Sequence, residues 1–514
     1  MRIRLSIFAL LCALLAPVAL FAQVGTEGSF FGTVVDATGA IVPGAEVTIT
    51  NLATGFTKTD TTNREGEFNL RALPIGTYSV SVTAKGFKKW ELARTELSVG
   101  DRIRLAPALQ VGAINETISV TATSEVLQTE NSAVATVVQM QQIRELPTAI
   151  RNPLVLVALV PGMVYEGTQS GLERATTVQG NGLRNNKTAF QLDGLNSNAP
   201  MDEGGTAIPN VDAVEEISVQ SLNFSAESGR DPMQVLVVTK SGTNQFHGSL
   251  WEFVQNDKFN ARNTFAVSKP AVRRNQFGAS VGGPVIKNKI FFFGAFEGTR
   301  ITSQSIYNSV AVTPAMKTGD FSALSKIIKD PYNNGAPFAG NKIPASAISG
   351  ASKYFLPLIL EPNSPGGFFR TNASSYDNTY EGTGRVDYFI KASHRIYGRY
   401  VTVREPILRL GYNPSPSISG YDEVRQHSIG LNYNWTMSAN TLLIVSFGRM
   451  STNDSYSNPN LGKQNDVEMA GIQGIPTKGR EAWIGPPNIS FASGYTGVSF
   501  AGGWGVPGSL WGTV

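Results

Sequence analysis

Short runs in which apolar and polar residues alternate dominate the first part of the chain. Val47 and Ile49 face one way among polar neighbours, and Tyr78, Val80 and Val82 repeat the pattern. A period of two is typical of a β-strand with one buried face. Turn clusters rich in glycine and proline separate these runs at a spacing of about 8–12 residues. The pattern predicts a small β-sandwich over residues 24–122.

Residues 123–244 mix helical and extended patterns. A short helix is expected over residues 138–146, where Pro147 would end it. An apolar run follows at residues 154–160, and four strands are predicted at residues 177–183, 189–195, 215–220 and 234–240. The pattern indicates an α+β domain. It ends at a polar hinge, residues 240–244, and strand character restarts at Phe246.

From Phe246 onward, longer alternating segments are joined by connections of two kinds. Ile429, Leu431, Tyr433 and Trp435 share one face of the clearest segment. Three pairs of strands with short turns are predicted, namely residues 276–285 with 290–297, 383–390 with 395–403, and 426–435 with 441–450. Long polar stretches separate the pairs, notably residues 298–382. Alternation of short turns and long loops is typical of a transmembrane antiparallel β-barrel.

The barrel is expected to be incomplete. Residues 245–514 give about seven strands, whereas such barrels close with an even number, up to about 22 when plugged. Residues 511–514 have loop-like composition. We therefore expect the chain to be the N-terminal part of a protein of roughly 1,000–1,100 residues, from the same strand arithmetic.

Composition and charge exclude several classes of protein. Charged residues make up 16 % of the chain, and the net charge is +4, of which Arg2 and Arg4 supply half. No basic stripe of a nucleic-acid-binding protein is present. The two arginines precede an apolar run at residues 5–20, which predicts a cleaved signal peptide over residues 1–22 and hence export. The alternative, a membrane anchor, normally needs about 20 apolar residues.

Catalytic and metal-binding patterns are missing from the sequence. Cys12, the only cysteine, lies in the predicted signal peptide, so the mature chain would use no disulfide, metal thiolate or cysteine nucleophile. His247, His394 and His427 are far apart and form no zinc-protease motif. A phosphate-loop pattern is also missing, since no glycine-rich run precedes Lys240-Ser241. We expect no enzyme activity, cofactor or metal.

Four motifs in the first region occur in the order typical of a known domain. They are G-T-V-V-D-A-T-G from Gly32, T-N-R-E-G-E-F from Thr62, L-P-I-G-T-Y from Leu73, and A-K-G-F ending at Phe87. The region resembles the carboxypeptidase regulatory-like domain, an Ig-like and transthyretin-like β-sandwich. Some related sandwiches bind starch, but Trp90 stands alone here. A spacer or docking role and carbohydrate binding therefore both stay open.

Motifs in the second region and across the hinge point to one family. They are R-E-L-P from Arg144, R-N-P-L from Arg151, V-P-G-M from Val160, Q-G-N-G-L-R-N-N-K-T-A-F-Q-L-D-G-L-N-S-N from Gln179, V-E-E-I-S-V-Q-S-L-N-F-S-A-E-S-G-R from Val214, V-V-T-K-S-G-T-N-Q-F-H-G from Val237 and R-N-Q-F-G-A-S-V-G-G-P-V from Arg274. Together they resemble a TonB-dependent outer-membrane receptor of the Oar-like type. The resemblance implies a plug domain over residues 123–244 that leads into the barrel. Residues 231–236 depart from the family's glycine-rich run.

The resemblance also implies partners and a location. The partners would be a TonB-type periplasmic energy-coupling protein, outer-membrane lipid and a ligand that the sequence leaves open among glycan, siderophore, peptide and protein. The location would be the cell outer membrane. The direction of transport stays open. The alternative is a β-rich surface adhesin or carbohydrate-binding structural protein, which predicts no alternation of short and long connections.

One short segment has two interpretations. Glu116, Thr117, Ile118, Ser119 and Val120 resemble the TonB box, the segment that the energy-coupling partner captures by strand addition. The same residues also fit the last strand of the sandwich.

Overall fold

The computed structural model describes residues 26–112, 117–120, 134–139, 151–165, 178–184, 187–199, 204–222, 232–262, 269, 271–409, 420–438, 441–457, 465–474 and 510–513. The predicted signal peptide, Glu116, most of the helix expected at residues 138–146, and the R-E-L-P motif lie outside these ranges. No helix within them has the length and apolar character needed to cross a membrane.

The N-terminal unit is a β-sandwich. A three-stranded sheet has the order β5–β1–β8, a five-stranded sheet has the order β10–β7–β6–β3–β4, and β2 pairs with β9. The strands are β1 (Gly28–Thr33), β2 (Val35–Asp36), β3 (Glu46–Asn51), β4 (Thr57–Thr61), β5 (Glu67–Leu73), β6 (Gly76–Thr83), β7 (Lys89–Leu97), β8 (Arg102–Leu105), β9 (Ala108–Leu109) and β10 (Thr117–Val120).

Alternation along the strands builds the core of the sandwich, as predicted. Val47 and Ile49 on β3 are fully buried, and so are Tyr78 and Val80 on β6. The Tyr78 hydroxyl donates to the Pro74 carbonyl oxygen at 2.6 Å, which satisfies the one polar atom of this buried ring. Trp90 is also in the core, 8 % exposed, and therefore offers no surface for stacking a sugar.

The middle of the chain forms a second, five-stranded sheet with the order β11–β16–β17–β14–β15, which we call the central domain. β14 and β17 are parallel, and the other neighbours are antiparallel. Its strands are β11 (Val134–Gln139), β14 (Thr188–Leu192), β15 (Leu195–Asn196), β16 (Val214–Leu222) and β17 (Met233–Thr239). The domain also contains a separate antiparallel pair, β12 (Met163–Tyr165) with β13 (Val178–Gly180), and 3₁₀ helices at Pro153–Leu159 and Val211–Ala213.

The helix predicted from residue 138 is wrong at its start. Val138 and Gln139 end strand β11, which pairs along its length with β16. Val138 is buried in the same cluster as Ile217 and Val219, so a place in the sheet outweighs the local helical pattern. The predicted strands at residues 177–183, 189–195, 215–220 and 234–240 are all present with shifted ends.

After the hinge, the chain forms a large antiparallel sheet, which we call the wall. In the described part of the chain its order is β18–β19–β20–β23–β24–β25–β26–β27. The strands are β18 (His247–Asn256), β19 (Val272–Ile286), β20 (Ile290–Val310), β23 (Phe368–Lys391), β24 (His394–Arg409), β25 (Gly420–Ser438), β26 (Thr441–Ser457) and β27 (Leu510–Thr513).

The remaining elements lie in the connections. The β20–β23 connection carries β21 (Lys329–Asp330), β22 (Ala336–Pro337), the α-helices Pro314–Lys317 and Gly350–Phe355, and the 3₁₀ helices Ala339–Asn341 and Leu356–Leu358. A 3₁₀ helix at Asp257–Phe259 follows β18, and an α-helix at Asp466–Met469 follows β26.

All three predicted strand pairs are confirmed, as is the alternation of their connections. β19 pairs with β20, β23 with β24, and β25 with β26, each across a short turn. Residues 311–367 form a long connection between the first and second pairs, and residues 257–271 separate β18 from β19. The strands are longer than predicted, most of all β20 and β23, whose outer parts continue the backbone ladder with mostly polar residues on both faces. The loop predicted at the chain end is also wrong, since Leu510–Thr513 pairs with β26.

The wall is polar inside and apolar outside. On β23, Arg385 and Asp387 are 5 % and 1 % exposed, whereas Val386 is 51 % exposed. On β25, Asn432 is buried and Leu431 is exposed. A soluble protein has the opposite arrangement, and an apolar outer face fits strands in contact with lipid.

Candidate functional site at the junction of sandwich, central domain and wall

The hinge at residues 240–244 contacts all three parts of the molecule. The Lys240 ammonium donates to the Asp212 carbonyl oxygen in the central domain at 2.9 Å. The Ser241 hydroxyl donates to Oδ2 of Asp387 in the wall at 2.7 Å. The Asn244 N–H donates to the Ala53 carbonyl oxygen of the sandwich at 3.0 Å. The switch from one sheet to another, predicted from the sequence, is therefore also the point where the three units meet.

Asp193 forms the tip of the central domain that faces the wall. Asp193 and Gly194 have φ values of 50° and 78°, which is the geometry of a tight turn between β14 and β15. The Asp193 carboxylate accepts the Thr239 N–H at 3.0 Å and the Thr239 hydroxyl at 2.8 Å. The turn is thus fixed to the last residue of β17, next to the hinge.

Arginines of the wall surround this carboxylate. The Arg385 guanidinium lies 3.1 Å from Oδ1 of Asp193, and Nε of Arg399 lies 2.9 Å from Oδ2. Arg385 also donates to the Thr239 carbonyl oxygen at 2.8 Å, and Arg399 to that of Leu192 at 2.8 Å. Two wall strands thereby hold one turn of the central domain.

A second carboxylate balances the cluster. Arg385 pairs with Asp387 at 2.8 Å, and Arg395 pairs with the same carboxylate at 2.7 Å. Glu27 of the sandwich lies 3.9 Å from Arg395. The buried cluster contains three guanidinium groups (Arg385, Arg395, Arg399) and three carboxylates (Asp193, Asp387, Glu27). Equal numbers of opposite charges make burial tolerable, because each ion has a partner.

A knob-and-hole contact lies beside the ion cluster. Leu195, two residues after Asp193, sits against Gly430 of β25 and Gly448 of β26, which are directly opposite each other in the ladder. A Cβ at Gly430 would lie 2.8 Å from Leu195 Cδ1, and one at Gly448 would lie 3.2 Å from it. The two glycines therefore leave the space that the leucine fills.

The sandwich attaches to one end of the wall. The Phe56 ring lies 4.9 Å from that of Phe389 at the end of β23, and Phe291 at the start of β20 joins the same buried cluster. The Lys58 ammonium donates to the Arg71 carbonyl oxygen at 2.6 Å and to the Thr436 hydroxyl at 2.8 Å. Burial lowers the pKa of Lys58 to about 8. The end of the wall with short turns is the end that the sandwich covers.

The sandwich also touches the central domain at a buried carboxylate. The Val99 N–H donates to Oε1 of Glu216 on β16 at 2.9 Å. Val99 packs with Leu236 and Val238 of β17, and Ile75 lies against them. Burial raises the pKa of Glu216 to about 7, and the hydrogen bond from Val99 lowers it by less.

The segment singled out from the sequence lies at a sheet edge. Thr117–Val120 pairs in parallel with residues 89–92 of β7 and is the outermost strand of the five-stranded sheet. The structure thus places Thr117, Ile118, Ser119 and Val120 in the last strand of the sandwich. One backbone edge of β10 has no neighbouring strand among the described residues, which is the arrangement that strand addition requires.

The histidines are distributed separately along the wall. The Nδ1 atoms of His394 and His427 lie 2.8 Å from the hydroxyls of Tyr433 and Tyr400 respectively, while His247 lies on β18. Among the residues that the structure describes, no group of three histidine, cysteine, aspartate or glutamate side chains is close enough to bind a metal.

The charged residues that join the units were not singled out from the sequence. Asp193 lies in the motif that begins at Gln179, and the alternation along β23 places Arg385 and Asp387 on one face, so signals for these three residues were present. Glu216 lies in the motif that begins at Val214, but nothing in that motif indicates its burial, because a glutamate in a strand is usually exposed to solvent.

Two family models match the chain. The outer membrane beta barrel domain matches residues 238–509, more than half of the chain, and the carboxypeptidase regulatory-like domain matches residues 29–110. The chain therefore belongs to the outer membrane β-barrel domain family, and its wall lies in the outer membrane. The predicted fold class is confirmed as mainly β, with an Ig-like N-terminal domain and part of a transmembrane barrel.

The chain is also similar to individual known proteins. The chain is 24 % identical over 297 residues to the TonB-dependent transporter Oar of Myxococcus xanthus, covering 54 % of this chain and 27 % of that protein. The chain thus spans about a quarter of the length of this curated relative. Similar solved structures include the outer membrane transporter YddB from Escherichia coli (11 % identity, TM-score 0.43, 63 % of this chain and 40 % of that one). A mutant of the ferric enterobactin receptor from Pseudomonas aeruginosa has 12 % identity and a TM-score of 0.38, covering 64 % and 42 %.

Proposed function

We propose that this protein is a TonB-dependent transporter in which the central domain, within residues 123–244, is the plug. The single observation that carries the proposal is the buried, charge-balanced cluster in which Arg385 and Arg399 of the wall hold Asp193. A domain fixed in this way to the polar inner face of a membrane barrel blocks its lumen. It can be moved only if the ion pairs are broken or shifted together.

The proposal includes a site for the energy-coupling partner. Residues Glu116 to Val120 are the segment that a TonB-type periplasmic protein binds by adding a strand. The support is that β10 is an edge strand and that it precedes the central domain in the chain. Strand addition uses backbone groups for affinity, so it does not require a conserved pocket.

The transporter is not an enzyme and needs no cofactor in this proposal. Its cargo class stays as open as the sequence left it: glycan, siderophore, peptide or protein. An adhesin is the weaker alternative, because an adhesin has no need for apolar outer and polar inner faces on the wall. The buried Trp90 gives carbohydrate binding by the sandwich no support.

Proline substitutions in β10 test the partner site. Consecutive N–H groups in a strand point to opposite sides, so of Ile118 and Ser119 one faces β7 and the other faces the open edge. Ile118→Pro and Ser119→Pro each remove one backbone N–H donor of β10. We expect both to weaken binding of the purified periplasmic domain of a TonB-type protein by at least about 10-fold, the equivalent of about 1.4 kcal/mol.

Matched variants separate backbone from side-chain effects. Ile118→Val and Ser119→Ala keep both N–H groups and are expected to bind like the unmodified protein. The affinity of the periplasmic domain would be measured with the receptor immobilised on a sensor surface in detergent. If both proline variants bind the partner normally, the segment is only the last strand of the sandwich, and the proposed partner site is wrong.

A further inference from the structure

The turn that links β7 to β8 brings the sandwich into contact with the central domain, next to Ile75 of the β5–β6 turn. Within this turn the Ser98 N–H donates to Oδ2 of Asp101 at 2.9 Å, and the Asp101 N–H donates to the Ser98 carbonyl oxygen at 3.1 Å. The turn places Val99, 4 % exposed, against Leu236 and Val238. The contact is therefore small, apolar and fixed in shape.

Glu216 is buried in this contact. It lies opposite Val238 in the β16–β17 ladder and is 6 % exposed. One carboxyl oxygen, Oε1, accepts the Val99 N–H at 2.9 Å. A carboxylate that is removed from water without a cation is costly, whereas the neutral carboxylic acid is not.

The charged groups around Glu216 are acidic. The carboxylates of Asp101 in the sandwich and of the exposed Glu215 on the same strand both raise the pKa of Glu216 by charge repulsion. On the neighbouring strands, β11 places the uncharged Gln139 opposite it, and β17 places Val238 there. Lys240 directs its ammonium to the Asp212 carbonyl oxygen instead. The surroundings thus disfavour a negative charge on Glu216.

We propose that the contact between Val99 and Glu216 is a proton-dependent attachment of the sandwich to the central domain. The attachment is tight when Glu216 is protonated and loosens when Glu216 ionises. The contacts of Phe56 and Lys58 with the wall do not involve Glu216, so the sandwich stays tethered while the Val99 turn withdraws from Leu236 and Val238. This inference concerns docking within the chain and does not depend on the proposed partner site.

The direction of the pH dependence follows from the two states. Burial in the contact raises the pKa of Glu216 from 4.5 to about 7, chiefly by desolvation. The docked state therefore binds the proton more tightly than the undocked state. Docking is fully favoured below about pH 4.5 and is lost progressively as the pH rises through about 7. The full effect on the docking equilibrium is on the order of 100-fold.

Hydrogen exchange of the intact protein in detergent tests this inference directly. The probe is the Val99 amide, because its hydrogen is donated to Glu216 only in the docked state. After correction for the intrinsic pH dependence of exchange, we expect protection of the Val99 amide, separated from its neighbours by overlapping peptides, to fall by on the order of 100-fold between pH 5 and pH 8. Glu216→Gln, which is neutral and keeps the acceptor oxygen, should stay protected at both pH values.

Two further variants complete the experiment. Glu215→Gln removes the neighbouring exposed carboxylate and should keep most of the pH dependence. Val99→Ala should lower protection at every pH without changing the shape of the profile. Protection that does not change with pH in the unmodified protein overturns the inference, and so does a pH profile in Glu216→Gln equal to that of the unmodified protein.

Discussion

Asp193→Ala is expected to release the central domain from the wall. The substitution leaves Arg385 and Arg399 buried without the carboxylate that each faces at 3.1 Å and 2.9 Å. It also removes the acceptor for the Thr239 N–H and hydroxyl. Removing one partner of a buried ion pair typically costs about 3–5 kcal/mol. We therefore expect the central domain to become sensitive to protease at a lower urea concentration. Pulse proteolysis of the protein in outer-membrane vesicles measures this midpoint.

A double-mutant cycle gives this prediction its control. Arg385→Ala combined with Asp193→Ala should cost less than the sum of the two single substitutions, because the pair shares one interaction. Glu215→Ala, an exposed carboxylate of the same domain, should change stability by no more than about 0.5 kcal/mol. Additive effects of Asp193→Ala and Arg385→Ala would show that the cluster does not hold the domain in place.

Gly242→Ala is expected to have the second largest effect. A Cβ at this hinge position would lie 2.3 Å from the Phe292 carbonyl oxygen and 2.6 Å from that of Gly283. Both atoms belong to the backbone of paired wall strands, so no side-chain rotation relieves the overlap. Overpacking of this kind costs about 1–3 kcal/mol or more. We expect the hinge to be released from the wall. The fraction of folded protein, which is measured on gels by its heat-modifiable mobility, should fall.

The matched control lies in the wall itself. A Cβ at Gly384 meets nothing within 4 Å, so Gly384→Ala should fold like the unmodified protein. If Gly242→Ala folds equally well and keeps the central domain resistant to protease, then the hinge does not need to pack closely against the backbone of Gly283 and Phe292.

Local periodicity was sufficient to predict the fold class and the strand pairs of the wall. Val386 and Arg385 alternate in the sequence, and they alternate in exposure in the structure. The same reasoning failed at Val138, because pairing with β16 is a contact between residues about 80 positions apart in the chain. It also underestimated β20 and β23, whose outer parts lack the apolar face that periodicity detects.

The candidate site was harder to predict than the fold. The sequence indicated the hinge, and it singled out the segment from Glu116 to Val120, but it did not connect Asp193 with Arg385, 192 positions later. Such pairs are specified by how the central domain docks against the wall, which local periodicity does not report. Glu216 shows the same limit, since its unusual environment is created by Val99 of the sandwich.

The fit of Leu195 between Gly430 and Gly448 bears on how the wall is assembled. A slip of one residue between β25 and β26 would no longer place the two glycines opposite each other, and it would reverse the face of every side chain on the shifted strand. Ile429 or Leu431 would then turn inward toward Leu195, and the space for that leucine would close. The docked central domain is thus compatible only with the register in which Gly430 lies opposite Gly448.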